Sequence, residues 1–300
     1  MLKNIRRNKG IGNHRFLRYF LLIPAAFFFL SASTIGHPSP SPQKFAMVFS
    51  PTVGESFRYM LHISFQTEGK DFSGKDISTD ANAVGQLTFD VKRSLKNRVS
   101  LAITTPGIRV NTESPGESEF YSLMTHENMA VQAAFDSKGA VSQVHNLEAL
   151  NRTSIWNIPF GHILRDYLPT LPEHPVAPGE TWRDHRTAII PFEEMDLEIE
   201  IERQYRLEQI IPSDAGDEAV ISITYQVSLS GSKIWGNWSG AIEGQGQGEG
   251  TFLYSIKKSC IQNFSADYET AANLTIKNQE KILSKLPFHL TISVSLSQLK

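Results

Sequence analysis

The sequence predicts a mainly β protein: a curved antiparallel sheet, or half-barrel, made of two similar halves with one or two short helices between them. Three observations predict this. After residue 44 the apolar residues recur at every second position, which is the spacing of half-buried strands. Turn chemistry punctuates the runs at Glu68-Gly69, Ser137-Lys-Gly139 and Pro212–Gly216. Helical spacing of apolar residues appears in a single mid-chain stretch.

The clearest strand is Met195–Glu202, where Met195, Leu197, Ile199 and Ile201 alternate with Asp196, Glu198, Glu200 and Glu202. Similar alternation runs through residues 56–66, 85–91, 98–103, 219–229 and 289–296. Each half closes with a strand pair, 131–135 with 141–145 and 250–256 with 260–268. Strands that follow one another across short turns, each with one polar face, are antiparallel. Asn146–Tyr167 departs from this pattern. Its apolar residues sit at helical spacing and Pro159 divides them, which predicts two short helices with a break. Pro169, Pro172, Pro175 and Pro178 then form a stiff connection.

The two sides of that connection echo each other. Val53-Gly-Glu-Ser-Phe-Arg58 matches Pro178-Gly-Glu-Thr-Trp-Arg183, each a glycine turn that enters an aromatic-led strand. The expected organisation is a signal peptide at 1–33, a Pro/Ser-rich spacer at 34–43, a first β half at 44–145, a helical and Pro-rich connection at 146–178, and a second β half at 179–300.

The opening carries the export signature. Six basic residues precede the apolar run Phe20–Leu30, which is followed by Ser31-Ala32-Ser33. That run is short for a bilayer span, which takes about 20 apolar residues. The expectation is cleavage near Ser33 and a chain that is periplasmic or extracellular, soluble or peripheral to the envelope, with no transmembrane span after cleavage. Without those six cations, 23 basic residues face 31 acidic ones, a net charge of −8. An acidic body argues against a nucleic-acid partner, whose phosphates are neutralised by Lys and Arg. A lone cysteine excludes a disulfide framework.

Leu168-Pro-Thr-Leu-Pro-Glu-His-Pro-Val-Ala-Pro-Gly-Glu-Thr-Trp182 resembles the central signature, P-x-x-P-V-x-x-G-x-x-W, of a family of exported bacterial β-rich proteins of uncharacterised function. That resemblance implies two similar halves and carries over no catalytic residue. Family members often begin with a lipid-anchoring cysteine, which this sequence lacks. At the level of fold, a curved sheet closed by mid-chain helices also resembles the periplasmic lipoprotein carriers, an analogy that assigns no function.

Candidate chemistry is sparse. Gly244-Gln-Gly-Gln-Gly-Glu-Gly250 lies between strand-like segments and does not open a helix, so it lacks the context of a phosphate loop. It is either a strand with one bare face or a flexible loop. The acidic row Asp196–Glu202 is too spread to wrap a calcium ion and reads as a solvated face. Nine histidines are scattered, with no pair at metal-ligand spacing. Cys260 has no nearby histidine, and no Gly-x-Ser-x-Gly elbow is present. No catalytic residue, metal ligand or cofactor is assigned.

The expected function is therefore a non-catalytic envelope protein whose concave face binds a lipid or other hydrophobic ligand, because a half-open sheet must be covered by helices or by a ligand. The candidate lining residues are Leu197, Ile199, Ile201, Trp235 and Trp238. Trp235 and Trp238 are three apart, so in a regular strand they would face opposite ways, one to the interior and one at a rim. The alternative is a scaffold with a self-filled core that engages an envelope protein partner. A hydrolase is a weaker reading. An outer-membrane barrel is disfavoured by the Pro-rich mid-chain break and a final residue, Lys300, that is not aromatic.

Overall fold

The computed structural model describes residues 42–299, apart from 72, 157, 193, 194, 214 and 215. The expected signal peptide and nearly all of the spacer lie outside the described residues. Pro42–Lys300 form one compact unit. Its core draws on residues from Met47 onward, with Phe45 and Phe49 packed against it. The unit thus carries the apolar material it needs to fold by itself.

The first half supplies β1 (Ser56–Lys70), β2 (Asp76–Leu95), β3 (Arg98–Ser114), β4 (Glu117–Leu123), β5 (Val131–Asp136) and β6 (Val141–His145). The connection holds a 3₁₀ turn (Leu147–Ala149), a two-rung hairpin of β7 (Ser154–Ile155) and β8 (Ile158–Pro159), and one helix, α1 (Phe160–Tyr167). The second half is a meander of β9 (Thr181–Phe192), β10 (Met195–Ile211), β11 (Glu218–Trp235), β12 (Trp238–Ser255), β13 (Cys260–Asn278) and β14 (Lys281–Gln298).

Eleven of these strands form one antiparallel path, β6-β5-β3-β2-β1-β14-β13-β12-β11-β10-β9, and β4 pairs beside β5 on β3. The first strand lies next to the last at the centre, with Tyr59 opposite Gln298 and Gly69 opposite Phe288. The sheet is open, its edges being β6 and β9, and α1 packs against both. The mainly β, curved-sheet expectation holds, with one α-helix among the described residues. Of the two expected helices only the second forms. Ahead of Pro159 the chain makes the short 3₁₀ turn and the small hairpin, because a proline cannot supply the N–H that would join the two segments.

Strand parity sets the faces. Phe57, Tyr59, Leu61 and Ile63 of β1, and Ile221, Ile223 and Tyr225 of β11, point inward and are buried. The acidic side chains Asp196, Glu198, Glu200 and Glu202 point outward to solvent, as the alternation predicts.

The Gly244–Gly250 segment is strand throughout, and all four glycines fall on the inner face. Their role is a crease in the sheet. A Cβ added to Gly246 would lie 2.3 Å from the Glu269 carbonyl oxygen and 2.4 Å from Thr270 Oγ1, and one at Gly248 would lie 2.3 Å from the Asp267 carbonyl oxygen. Bare backbone on β12 lets β13 fold steeply over it. Across Gly248, Tyr225 and Tyr268 then meet with ring centroids 4.5 Å apart.

The two echoed turns have the same geometry. Gly54 and Gly179 both sit at φ +90°. Gly54 N–H donates to the Val91 carbonyl (3.0 Å), and Gly179 N–H to the Leu207 carbonyl (2.6 Å). In both turns the following glutamate caps the chain three residues back, Glu55 accepting from Thr52 N–H at 2.8 Å and Glu180 from Ala177 N–H at 3.0 Å. The Pro-rich connection is anchored after α1, where Trp182 Nε1 donates to the Thr170 carbonyl at 3.1 Å.

Candidate functional site: an apolar cleft beside the helix

α1 presents Phe160, Ile163 and Leu164 to the core. Its remaining inward side chains, His162, Asp166 and Tyr167, form one wall of a cleft on the inner face of the second half. The opposite walls are Ile190 of β9, Ile199 and Ile201 of β10, Val227 and Leu229 of β11, Tyr268 and Thr270 of β13, and Leu290 and Ile292 of β14. β12 adds no side chain to the lining, because the positions it offers there are Gly244 and Gly246. The space between these walls is about 60 Å³.

The polar rim on the helix is a small cluster. Asp166, 4% exposed, accepts from Arg165 Nε at 2.8 Å and lies 3.4 Å from His162 Nδ1. That bond to Asp166 raises the Arg165 pKa, against the opposing effect of burial. At the closed end of the cleft the next inner residue of β10 is Arg203, whose side chain is fully buried and paired with Asp184 of β9. Its Nη1 also donates to the Leu168 carbonyl at 2.9 Å. The tyrosines around this end are held protonated. Burial raises the pKa of Tyr167 to about 12, and burial likewise raises those of Tyr225 and Tyr268.

Away from the helix the apolar face continues as a second cluster of Met195, Leu197, Leu229, Ile242 and Ala272. Its neighbours Ile199, Leu274 and Phe288 are only half-buried, as are Val227, Leu290 and Ile292. On the corresponding face of the first half Leu61, Ile63, Ala83 and Leu87 are all buried, and exposure is confined to the β1–β2 tip, where Phe65 is half-buried and Ile77 exposed.

Ile199 and Ile201 thus line the cleft, and Leu197 lies just beyond it in the second cluster. Trp235 and Trp238 are not on opposite faces. They are paired residues flanking a two-residue hairpin turn, and the turn restores the parity that a continuous strand would have broken. Gly236, at φ +59°, takes the first central position of that turn. Trp235 lies over Gly240, where an added Cβ would come within 2.9 Å of its ring and 3.5 Å of Met195 Cε. It closes the far end of the apolar strip. Trp238 is exposed at the tip. Val227, Leu229, Leu290 and Ile292 also line the cleft, on strands whose alternation was readable, but which strands would be neighbours was not. The His162–Asp166 rim carried no signal beyond helical spacing. His174 and His185 line a separate, solvent-open groove of about 690 Å³.

No protein-family model matches the chain, and no curated protein matches it, so the mid-chain signature stands as a resemblance. Among solved structures the chain is similar to Pseudomonas aeruginosa OccK5 (OpdH), at 6% identity over 82% of this chain and 99% of that chain, with a TM-score of 0.23. It is similar to OccK11 (OpdR) of the same organism at 6% identity over 86% and 100%, with a TM-score of 0.20. Pseudomonas aeruginosa OpdQ gives 6% identity over 82% and 98%, with a TM-score of 0.18. Likeness at this level assigns neither fold nor function. Among the described residues no helix is long and apolar enough to cross a membrane, which says nothing about spanning by strands.

Proposed function

We propose that this is an exported, non-catalytic cell-envelope protein that holds a lipid or other hydrophobic ligand against the inner face of its second half. One observation carries the reading: the inner face of β10–β14 stays half-covered beyond α1 at Ile199, Val227, Leu290 and Ile292, whereas Leu61, Ile63, Ala83 and Leu87 of the first half are buried and its inner face opens only toward the β1–β2 tip, at Phe65 and Ile77. Apolar surface left open on a concave face is favourable ground for an acyl chain, each buried CH₂ contributing roughly 0.8 kcal/mol. The ligand's first carbons enter the cleft between Ile199, Ile201 and Ile292, and the rest lies along the strip toward Trp235. The matching turns at Gly54 and Gly179 support reading 44–145 and 179–300 as related halves. Residues 1–33 serve as the export signal and 34–43 as a spacer.

The test uses the 42–300 unit. It should carry extractable lipid or bind a fluorescent fatty acid saturably. Ile199→Asn, at a half-buried lining position, should weaken that binding at least severalfold while far-UV circular dichroism shows the fold retained. Folded wild-type protein with neither bound lipid nor saturable binding would overturn the reading in favour of a self-filled scaffold that engages an envelope protein.

A further inference from the structure

Two long hairpins of the second half end side by side. Trp238 is in register with Asn278, and Gln279 N–H donates to the Asn237 carbonyl at 2.7 Å, so the β11–β12 and β13–β14 tips form one surface. That surface is unusually apolar for an exposed turn. Ile234 is 76% exposed, Ile282 58%, Trp238 49% and Leu283 46%. Large apolar side chains gathered at a protruding tip mark an interaction site more often than a solvated loop.

The charge around these side chains selects the partner. Residues 233–239 and 277–285 contain Lys233, Lys277, Lys281 and Lys285 against a single acid, Glu280, whereas residues 34–300 as a whole carry a net charge of −8. A basic collar around a Trp- and Ile-bearing tip matches a bilayer surface in both layers. Anionic headgroups meet the lysines, whose long stems let the ammonium groups stay in the headgroup layer, while the indole and aliphatic groups reach the acyl boundary. A second copy is a poor fit, because a symmetric contact would set the same four lysines against each other. Asp196, Glu198 and Glu202 on the outer face of β10 would be repelled from an anionic surface, so contact is end-on through the tips.

We infer that the joined β11–β12 and β13–β14 tips dock this protein end-on to an anionic phospholipid bilayer. The docking itself stands apart from the proposed ligand cleft. If that cleft reading also holds, the apolar strip, which ends at Trp235 over Gly240 and Met195, opens at the membrane surface and the bilayer is the source of its ligand.

The test is flotation of the 42–300 unit with vesicles of phosphatidylcholine alone or with about 30 mol% phosphatidylglycerol. The unit should float with the anionic vesicles and remain largely free of the neutral ones. Raising NaCl from about 0.1 M to about 1 M shortens the screening length from about 10 Å to about 3 Å and should release it severalfold. Each lysine near an anionic surface is worth roughly fivefold in partitioning, so Lys281→Glu/Lys285→Glu should lose at least about 25-fold. Ile234→Ser/Trp238→Ser should lose binding by a similar margin with an unchanged melting curve, since both side chains are exposed. Absence of flotation with anionic vesicles, or equal flotation of wild type and both double variants, overturns the docking. Self-association through the tip in the absence of vesicles, abolished by Ile234→Ser/Trp238→Ser, also overturns it. Saturable fatty-acid binding alongside failed flotation would remove the docking and leave the cleft reading intact.

Discussion

Asp184 and Arg203 face each other across the β9–β10 ladder, and the guanidinium is completely buried while the carboxylate keeps 13% of its side-chain exposure. Thr170 Oγ1 also donates to Asp184 at 2.8 Å, and Arg186 lies 3.3 Å from its other oxygen. The pair therefore ties the Pro-rich connection to the edge of the sheet.

The two partners differ in what their loss would leave behind. Asp184→Ala strands a buried cation and should cost about 3–5 kcal/mol. Arg203→Met leaves a carboxylate that keeps Thr170 and Arg186, and should cost less. Urea unfolding of both variants checks the order, and a larger loss for Arg203→Met would refute it.

Gly54 and Gly179 share φ +90°, and neither has an atom within 4 Å of where a Cβ would stand. Any cost of substitution is then backbone strain alone. Gly54→Val and Gly179→Val should each lower stability by roughly 1–3 kcal/mol. Unchanged melting temperatures would remove the turn assignment, and a large difference between the two would argue against related halves.

The crease makes the opposite prediction about cause. Gly246→Ala requires no unusual φ but drives a methyl into the Glu269 carbonyl and Thr270, so overpacking should cost about 1–3 kcal/mol or more. Gly107→Ala, on β3 with open space at that position, is the matched control and should be nearly neutral. Thermal melts of the two variants distinguish them, and equal effects would mean that the β12–β13 crease does not depend on bare backbone.

Alkali should unfold this protein from a defined pH upward. Burial raises the Cys260 thiol from 9.0 to about 11 and Tyr167 from 10.0 to about 12, and raises Tyr59, Tyr205, Tyr225, Tyr254 and Tyr268 as well. Each group binds its proton more tightly when folded. Its contribution is complete below the unfolded value and is lost as pH rises through the folded one. The contribution of these groups should be constant below about pH 9 and fall from there through pH 12 and beyond. Phenolate absorbance should rise together with loss of the β signal, and smooth ionisation in a still-folded protein would contradict this.

The strand content was legible because one polar face forces alternation, and Met195–Glu202 shows this side chain by side chain. The acidic outer row and the inner row of Leu197, Ile199 and Ile201 follow from parity alone. What a linear pattern does not contain is which strands become neighbours. The cleft needs Ile292 and Tyr268 beside Ile201, residues brought together by the crease and by the pairing of β13 with β14. The opposite-face expectation for Trp235 and Trp238 applied to a regular strand, and a two-residue turn between them reverses the chain instead. The four alternating glycines were visible in the sequence. That they serve as a fold line became clear only from the carbonyls of β13 lying where their side chains would be.

The pairing of β1 with β14 has a kinetic consequence. Residues 59 and 298 must meet before the centre of the sheet exists, so that seam has nearly the largest sequence separation the chain allows. Contacts of that range form late and slowly. Until they do, each half presents a long unpaired edge, the state most open to sticking to other chains. A chain delivered amino terminus first cannot complete its middle until its last strand arrives. Loss of the last strand alone, the 18 residues of β14, would expose both inner edges at once rather than trim one side.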